Sequence, residues 1–175
     1  SFTLGQTVAG GQQPYMAIAA DFDGDGDLDI ASANFGEASL TVALNDGSGT
    51  FAEPVSYDTG KAPRALVAGD LDGDGILDLA TADMESSTVT VLHGNGDGAF
   101  TAGRTLDTGQ RPHGITIGDW DGDGKDSIGV FRPSSGLIYL KNSLVTGFAD
   151  FTMVLGSPGD IGLAGDWDGD GKDTL

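Results

Sequence analysis

The sequence predicts an all-β chain, a β-propeller of four-stranded blades with about three and a half blades present, and two observations carry that prediction. The first is an internal repeat: DFDGDGDLDI, DLDGDGILDL, DWDGDGKDSI and DWDGDGKDTL begin at Asp21, Asp70, Asp119 and Asp166, spaced by 49, 49 and 47 residues. A fixed period of this length marks stacked arrays and propellers. The second is the texture between the acidic segments, where short β-type runs alternate with polar, glycine-rich turns and no helical periodicity is visible.

Each unit can be followed from its start. Gly11, Gly60 and Gly109 stand ten residues before the acidic loop, and Pro14, Pro63 and Pro112 seven before it, so the repeat includes a strand leading into the loop. After the loop come Asp29-Ile30-Ala31 with Leu40-Thr41-Val42 in the first unit, and Leu77 to Ala80 with Thr88 to Leu92 in the second. The segments NDGSGTF (Asn45 to Phe51) and GNGDGAF (Gly94 to Phe100) fall 49 residues apart and read as hairpin tips, each followed by a fourth strand. A blade of this size cannot bury both faces alone, so neighbours must stack around an axis. The apolar second loop residue, Phe22, Leu71, Trp120 or Trp167, is expected to pack between blades.

We read residues 1–175 as one domain, with units near 11–59, 60–108, 109–157 and 158–175, and residues 1–10 as a strand of a preceding or closing blade, near Phe2 to Val8. The later units differ in texture: IGVFRPSSGLIYLKN follows the third loop, and the third tip lacks the glycine-rich hairpin. The chain stops at Leu175 inside an expected strand, so three arrangements stay open: truncation, closure by the N-terminal strand, or completion by another chain.

The chain carries 27 acids against 8 Lys plus Arg, a formal charge of −19, which excludes a phosphate-backbone binder. Of those acids 24 are Asp, the carboxylate of short reach, where a merely solubilising surface would use Glu as freely. No apolar run approaches the ~20 residues of a membrane-spanning helix. The chain opens on Ser1, so it is expected to be a mature product or an excerpt, and the absence of cysteine leaves the redox compartment unread.

The acidic loops have the pattern of a cation site. In the first, Asp21, Asp23 and Asp25 alternate with glycines and are followed by the carbonyl of Asp27 and the carboxylate of Asp29; the second offers Asp70, Asp72, Asp74, the carbonyl of Ile76, and Asp78. An all-oxygen set suits a hard cation, and calcium accepts six to eight such ligands in flexible geometry, where zinc or copper favour His or Cys. In the third and fourth loops, Asp119, Asp121, Asp123 and the carbonyl of Lys125, and Asp166, Asp168, Asp170 and the carbonyl of Lys172, the last acid moves one place earlier, to Asp126 and Asp173. An EF-hand needs a bidentate acid at position twelve, where this chain has Ser32, Thr81 and Val130.

The stretches DFDGDGDLDIASAN, DLDGDGILDLATAD and GDWDGDGKDSIGVFRPSSGLIYL resemble the FG-GAP or VCBS-type repeats of integrin α-chain propellers and of many secreted bacterial proteins. That resemblance covers nearly the whole chain and implies Ca2+ bound between the first and second strands of each blade.

Nothing else in the sequence has catalytic form. His93 and His113 have no accompanying nucleophile or acid set, so the chain is expected not to be an enzyme. Arg64, His113 and Arg132 are candidates for one rim. The expected function is a calcium-stabilised extracellular scaffold for binding or adhesion, secreted or at the cell surface, with calcium, protein or glycan ligands as partners. Nucleic acid and a membrane span are not expected. Two alternatives are a self-assembling filament or sheath protein, whose incomplete blades associate, and an accessory module of a larger secreted hydrolase or lyase.

Overall fold

The computed structural model describes residues 6–144 and 149–154. Their twelve strands form three four-stranded antiparallel sheets and no helix. Blade one contains β1 (Pro14–Ala20), β2 (Asp29–Asn34), β3 (Ser39–Ala43) and β4 (Val55–Asp58), and blade two contains β5 (Pro63–Gly69), β6 (Asp78–Asp83), β7 (Thr88–Gly94) and β8 (Phe100–Asp107). Blade three contains β9 (Gly114–Gly118), β10 (Ser127–Arg132), β11 (Leu137–Lys141) and β12 (Phe151–Val154). Strand order follows chain order in every sheet, so each blade is a meander.

The acidic loops join the first strand of a blade to its second, and the glycine-rich segments join the third to the fourth. Asn45 and Phe51 close the first tip by a β-bridge. In blade three an ion pair does that work: Lys141 Nζ lies 3.1 Å from Asp150 Oδ1, while the Asn142 amide donates to Asp150 Oδ2 at 2.8 Å. The fourth unit, from 158 onward, lies outside the described residues, as do residues 1–5. Residues 6–10 carry no strand; Gln6 instead exchanges two hydrogen bonds with the backbone of Phe51 through its side-chain amide.

The core lies between the blades because the middle strands are covered on both faces. In blade two the cross-strand pair Leu79 and Leu92 joins Leu40, Val42, Ala31 and Ala33 of blade one, whereas Ala80 and Val91, one residue further along, join Ile128 and Val130 of blade three. Alternation by two thus feeds two interfaces from one sheet. Alanines on β2 and β6 let the sheets approach. Contacts between blades concentrate on the first strands, β1 against β5 and β5 against β9, so the blades fan out from a line along which these strands converge.

The second loop residue packs between blades in the first two units, while Trp120 packs within its own blade and Trp167 lies outside the described residues. Phe22 is 3% exposed and meets Phe100 of blade two edge-on at 5.7 Å, and Tyr57 meets the same ring from blade one. Leu71 joins the interface of blades two and three, and Trp120 packs against Phe131, Ile138 and Leu140.

Buried polar residues hold the inner ends of the blades. Asn34, fully buried, accepts from the Gly11 amide and donates to Ser39 and Thr41. Its register equivalent Asp83 accepts from the hydroxyls of Thr81, Thr88 and Thr90. Burial holds Asp83 above the ordinary carboxylate value, with the hydroxyls opposing. The third equivalent is Arg132, whose guanidinium stacks 3.9 Å from the Tyr139 ring centroid.

Candidate metal centre

Each loop turns around its first aspartate. Asp21 accepts from the Gly24 amide through Oδ1 at 2.8 Å and from Gly26 through Oδ2 at 3.0 Å. Asp70 repeats this with Gly73 and Gly75, and Asp119 with Gly122 and Gly124. To aim both amides inward the chain takes φ of 76° at Gly24 and 95° at Gly26, the left-handed region where a Cβ is strained. Asp23 and Asp25 then accept from the amides two residues on.

The ninth residue locks the loop onto the blade. Asp29, fully buried, accepts from the Phe22 amide through Oδ2 and from the Asn45 amide through Oδ1, both at 2.8 Å. Asp78 makes the same two contacts with Leu71 and Gly94, at 3.0 Å each. One carboxylate therefore ties loop, second strand and third strand together.

These turns bring carboxylates together. Oxygens of Asp21, Asp23 and Asp29 lie within 4.8 Å of one another, as do those of Asp70, Asp72 and Asp74, and those of Asp119, Asp121 and Asp123. Ligands held about 2.4 Å from one ion lie no more than about 4.8 Å apart, so each group fits a single oxygen-coordinated divalent cation. The crowding shows in the electrostatics. Asp23 is held above the usual carboxylate value by partial loss of solvent and then by the charges of Asp29, Asp25 and Asp21. At Asp119 loss of solvent pushes upward, but the amides of Gly124, Gly122 and Asp123 outweigh it and the carboxyl is lowered.

Other expected site residues also make contacts through their side chains. The Asp25 carboxylate bonds the Asp27 amide, and that of Asp27 lies against the tip glycine Gly47. In the third loop Lys125 Nζ donates to the Asp72 carbonyl at 2.6 Å, and Asp126 Oδ2 accepts from the Asp70 amide at 3.0 Å, so both side chains reach back to the second loop. Asp166, Asp168, Asp170, Lys172 and Asp173 lie outside the described residues.

The structure adds His93 to the second loop. Its Nδ1 is buried, makes no hydrogen bond, and lies 3.4 Å from both Asp72 Oδ2 and Asp78 Oδ1. A ligand atom from each of Asp72, Asp78 and His93 falls within 4.8 Å of the others. Burial raises Asp78, against the amides of Gly94 and Leu71 and the charge of His93. The sequence signal was there: the residue 49 places earlier is Leu44, so an imidazole replaces an alkyl group at a strand end beside the loop. His93 opens onto a crevice of about 410 Å³ between blades two and three, lined also by Arg104, Lys125 and Lys141.

Fold and loops together define a tandem blade-repeat protein with an aspartate loop between the first two strands of each described blade. The FG-GAP-like repeat model matches residues 21–81 and 72–130, more than half of the 175 residues, and the chain belongs to that family. Among solved structures, a lectin of Agrocybe aegerita, described for specific recognition of non-reducing terminal N-acetylglucosamine, is similar in fold, with a TM-score of 0.59 at 24% identity. The match covers 89% of this chain and 44% of the lectin chain, so this chain spans less than half the length of that structure. No curated protein matches. No helix of the described residues is long and apolar enough to cross a membrane.

Proposed function

We propose that this chain is a calcium-stabilised binding or adhesion scaffold of an extracellular protein, without catalytic activity of its own. The observation that carries this reading is the gathering of three carboxylates in each described loop, on turns that glycine alone accepts without strain. Like charges held this close repel unless a cation joins them, and the all-oxygen donor sets of the first and third loops favour calcium over a softer metal. Asp21, Asp23 and Asp29 would hold the ion in the first loop, Asp70, Asp72, Asp74 and Asp78 in the second, and Asp119, Asp121 and Asp123 in the third. The ion would supply charge neutralisation and cross-link each loop to its strands.

Extracellular placement follows from the affinity expected of such sites, roughly 0.1 to 1 mM, far above resting cytosolic calcium. At twentyfold its dissociation constant a bound ion adds about 1.8 kcal/mol per site, a large share of the ~5 to 15 kcal/mol of an ordinary domain. A binding role is supported by membership of the repeat family and by the similarity in fold to a lectin, with a glycan or a protein as ligand. The test is thermal unfolding in calcium and in chelator, with ions counted per chain by titration. A melting temperature indifferent to chelation would end the calcium reading.

A further inference from the structure

The line along which β1, β5 and β9 converge ends in a cluster of unlike character to the rest of this acidic chain. Tyr15, Arg64 and His113 are register equivalents, each following the proline that opens a unit, and one comes from each blade. Arg111 joins them from the turn before β9, at a position where the backbone has φ of 51°, as it has 56° at the equivalent Ala62 and 50° at Gln13. The repeated turn delivers a side chain to this end in every blade.

The two arginines lack the partners such groups take. Arg64 Nη1 and Arg111 Nη2 both point at the sulfur of Met84, at 3.7 and 3.8 Å. A thioether is a weak acceptor, and a guanidinium has five donors to satisfy. Among the described residues no carboxylate forms an ion pair with either, in a chain of formal charge −19. His113 lies close enough that, after loss of solvent, the charges of Arg64 and Arg111 depress its pKa. The crevice beside His93 differs, because its cations are engaged: Lys125 on the Asp72 carbonyl, Lys141 on Asp150 and Arg104 on the Leu144 carbonyl.

The guanidinium of Arg64 lies over the ring of Tyr15, 5.1 Å from its centroid, and that ring, still 56% exposed, is neighboured by Phe35 at 5.7 Å. We propose that Arg64, Arg111, His113 and Tyr15 form a binding site for an acidic saccharide, with the carboxylate or sulfate on the two guanidinium groups and the apolar face of the pyranose on Tyr15. Paired guanidinium groups suit a planar or tetrahedral oxyanion through parallel N–H donors, and an exposed aromatic ring offers a sugar face a surface that a bare anion cannot use. This deepens the reading of the chain as a binding scaffold and rests on it.

The test is calorimetric titration of calcium-loaded protein with methyl glucuronide and methyl 6-sulfogalactoside, with methyl glucoside as neutral control and inorganic sulfate as bare anion. We expect at least one acidic glycoside to bind, at least tenfold more weakly to Arg64→Gln and Arg111→Gln, each checked for native circular dichroism. Tyr15→Ala should weaken the glycoside and leave sulfate unchanged. Failure of both acidic glycosides to bind folded wild-type protein, equal binding by both Gln variants, or equal binding of the neutral glycoside would each overturn the site. The calcium dependence of the melting temperature is read in the same samples, so failure of the scaffold reading is seen separately.

Discussion

Asp126 and Asp70 clasp each other across the joint between blades two and three: the Asp126 carboxylate accepts from the Asp70 amide at 3.0 Å, and the Asp126 amide donates to the Asp70 carbonyl at 2.9 Å. Asp70 also anchors its own loop through Gly73 and Gly75, so the third loop is fastened to the residue around which the second one turns. The acid that moved one place forward in the third loop therefore serves the interface.

Removing this acid should loosen the joint more than it disturbs the third loop. Asp126→Ala is expected to cost about 1 kcal/mol or more in denaturant unfolding, the ordinary worth of a hydrogen bond to a charged acceptor that is partly solvated. Asp126→Asn, which keeps an acceptor oxygen, should lose less. Equal losses in the two variants would show that the clasp to Asp70 is not what Asp126 contributes.

Phe22 should carry the contact between blades one and two. It is nearly inaccessible and lies edge-on to Phe100, so Phe22→Ala opens a cavity among Leu40, Leu66 and Leu79. A cost of about 3 to 5 kcal/mol is expected. Combined with Phe100→Ala, the double variant should lose less than the two single losses together, because the rings share one site. Strict additivity would contradict the packing described.

Asp23 and Asp29 should separate metal binding from hydrogen bonding within one loop. Asp29→Ala leaves the amides of Phe22 and Asn45 without acceptors, at about 1 to 3 kcal/mol each, and the loss should persist in chelator. Asp23→Asn relieves like-charge crowding, so in chelator it should not destabilise, while in calcium it should lower the stabilisation that titration detects. Melting curves of both variants with and without chelator provide the check.

Asp83 should make the fold prefer a lower pH than its equivalent in blade one would. Burial raises its folded-state pKa above the ordinary 3.8, so between 3.8 and the raised value the folded state binds more protons than the unfolded one. Stability from this group is present below that window and falls as pH rises through it. Asp83→Asn, which installs the residue blade one carries at Asn34, should raise the melting temperature at pH 7. Below pH 3.8 the difference from wild type should vanish or reverse. A destabilised variant at pH 7 would show that the three threonine hydroxyls require a carboxylate.

Much was legible along the chain. The 49-residue period located loops, tips and strands because each is local, its residues within a few positions of one another, and repeated chemistry reports repeated local geometry. The positions of Asp21, Asp23 and Asp29 around one point, and the burial of Phe22 and Leu71, follow from that. What escaped belongs to relations between units. The side chains of Lys125 and Asp126 both reach the second loop, and no spacing within a unit indicates how far one blade is rotated against the next. His93 showed no acid set in the sequence because its partners, Asp72 and Asp78, stand in the acidic loop and on the neighbouring strand β6, about fifteen to twenty residues away along the chain.

The sequence by itself determined a repeating all-β unit with a carboxylate loop at a set place, since short-range glycine conformations and aspartate-to-amide hydrogen bonds need nothing beyond the loop to form. Only the tertiary structure decided which loops touch, which histidine joins the acids, and that Arg64 and Arg111 meet over one sulfur atom. Those outcomes depend on the twist and approach of neighbouring sheets, set by the summed packing of alanines and leucines at the blade interfaces.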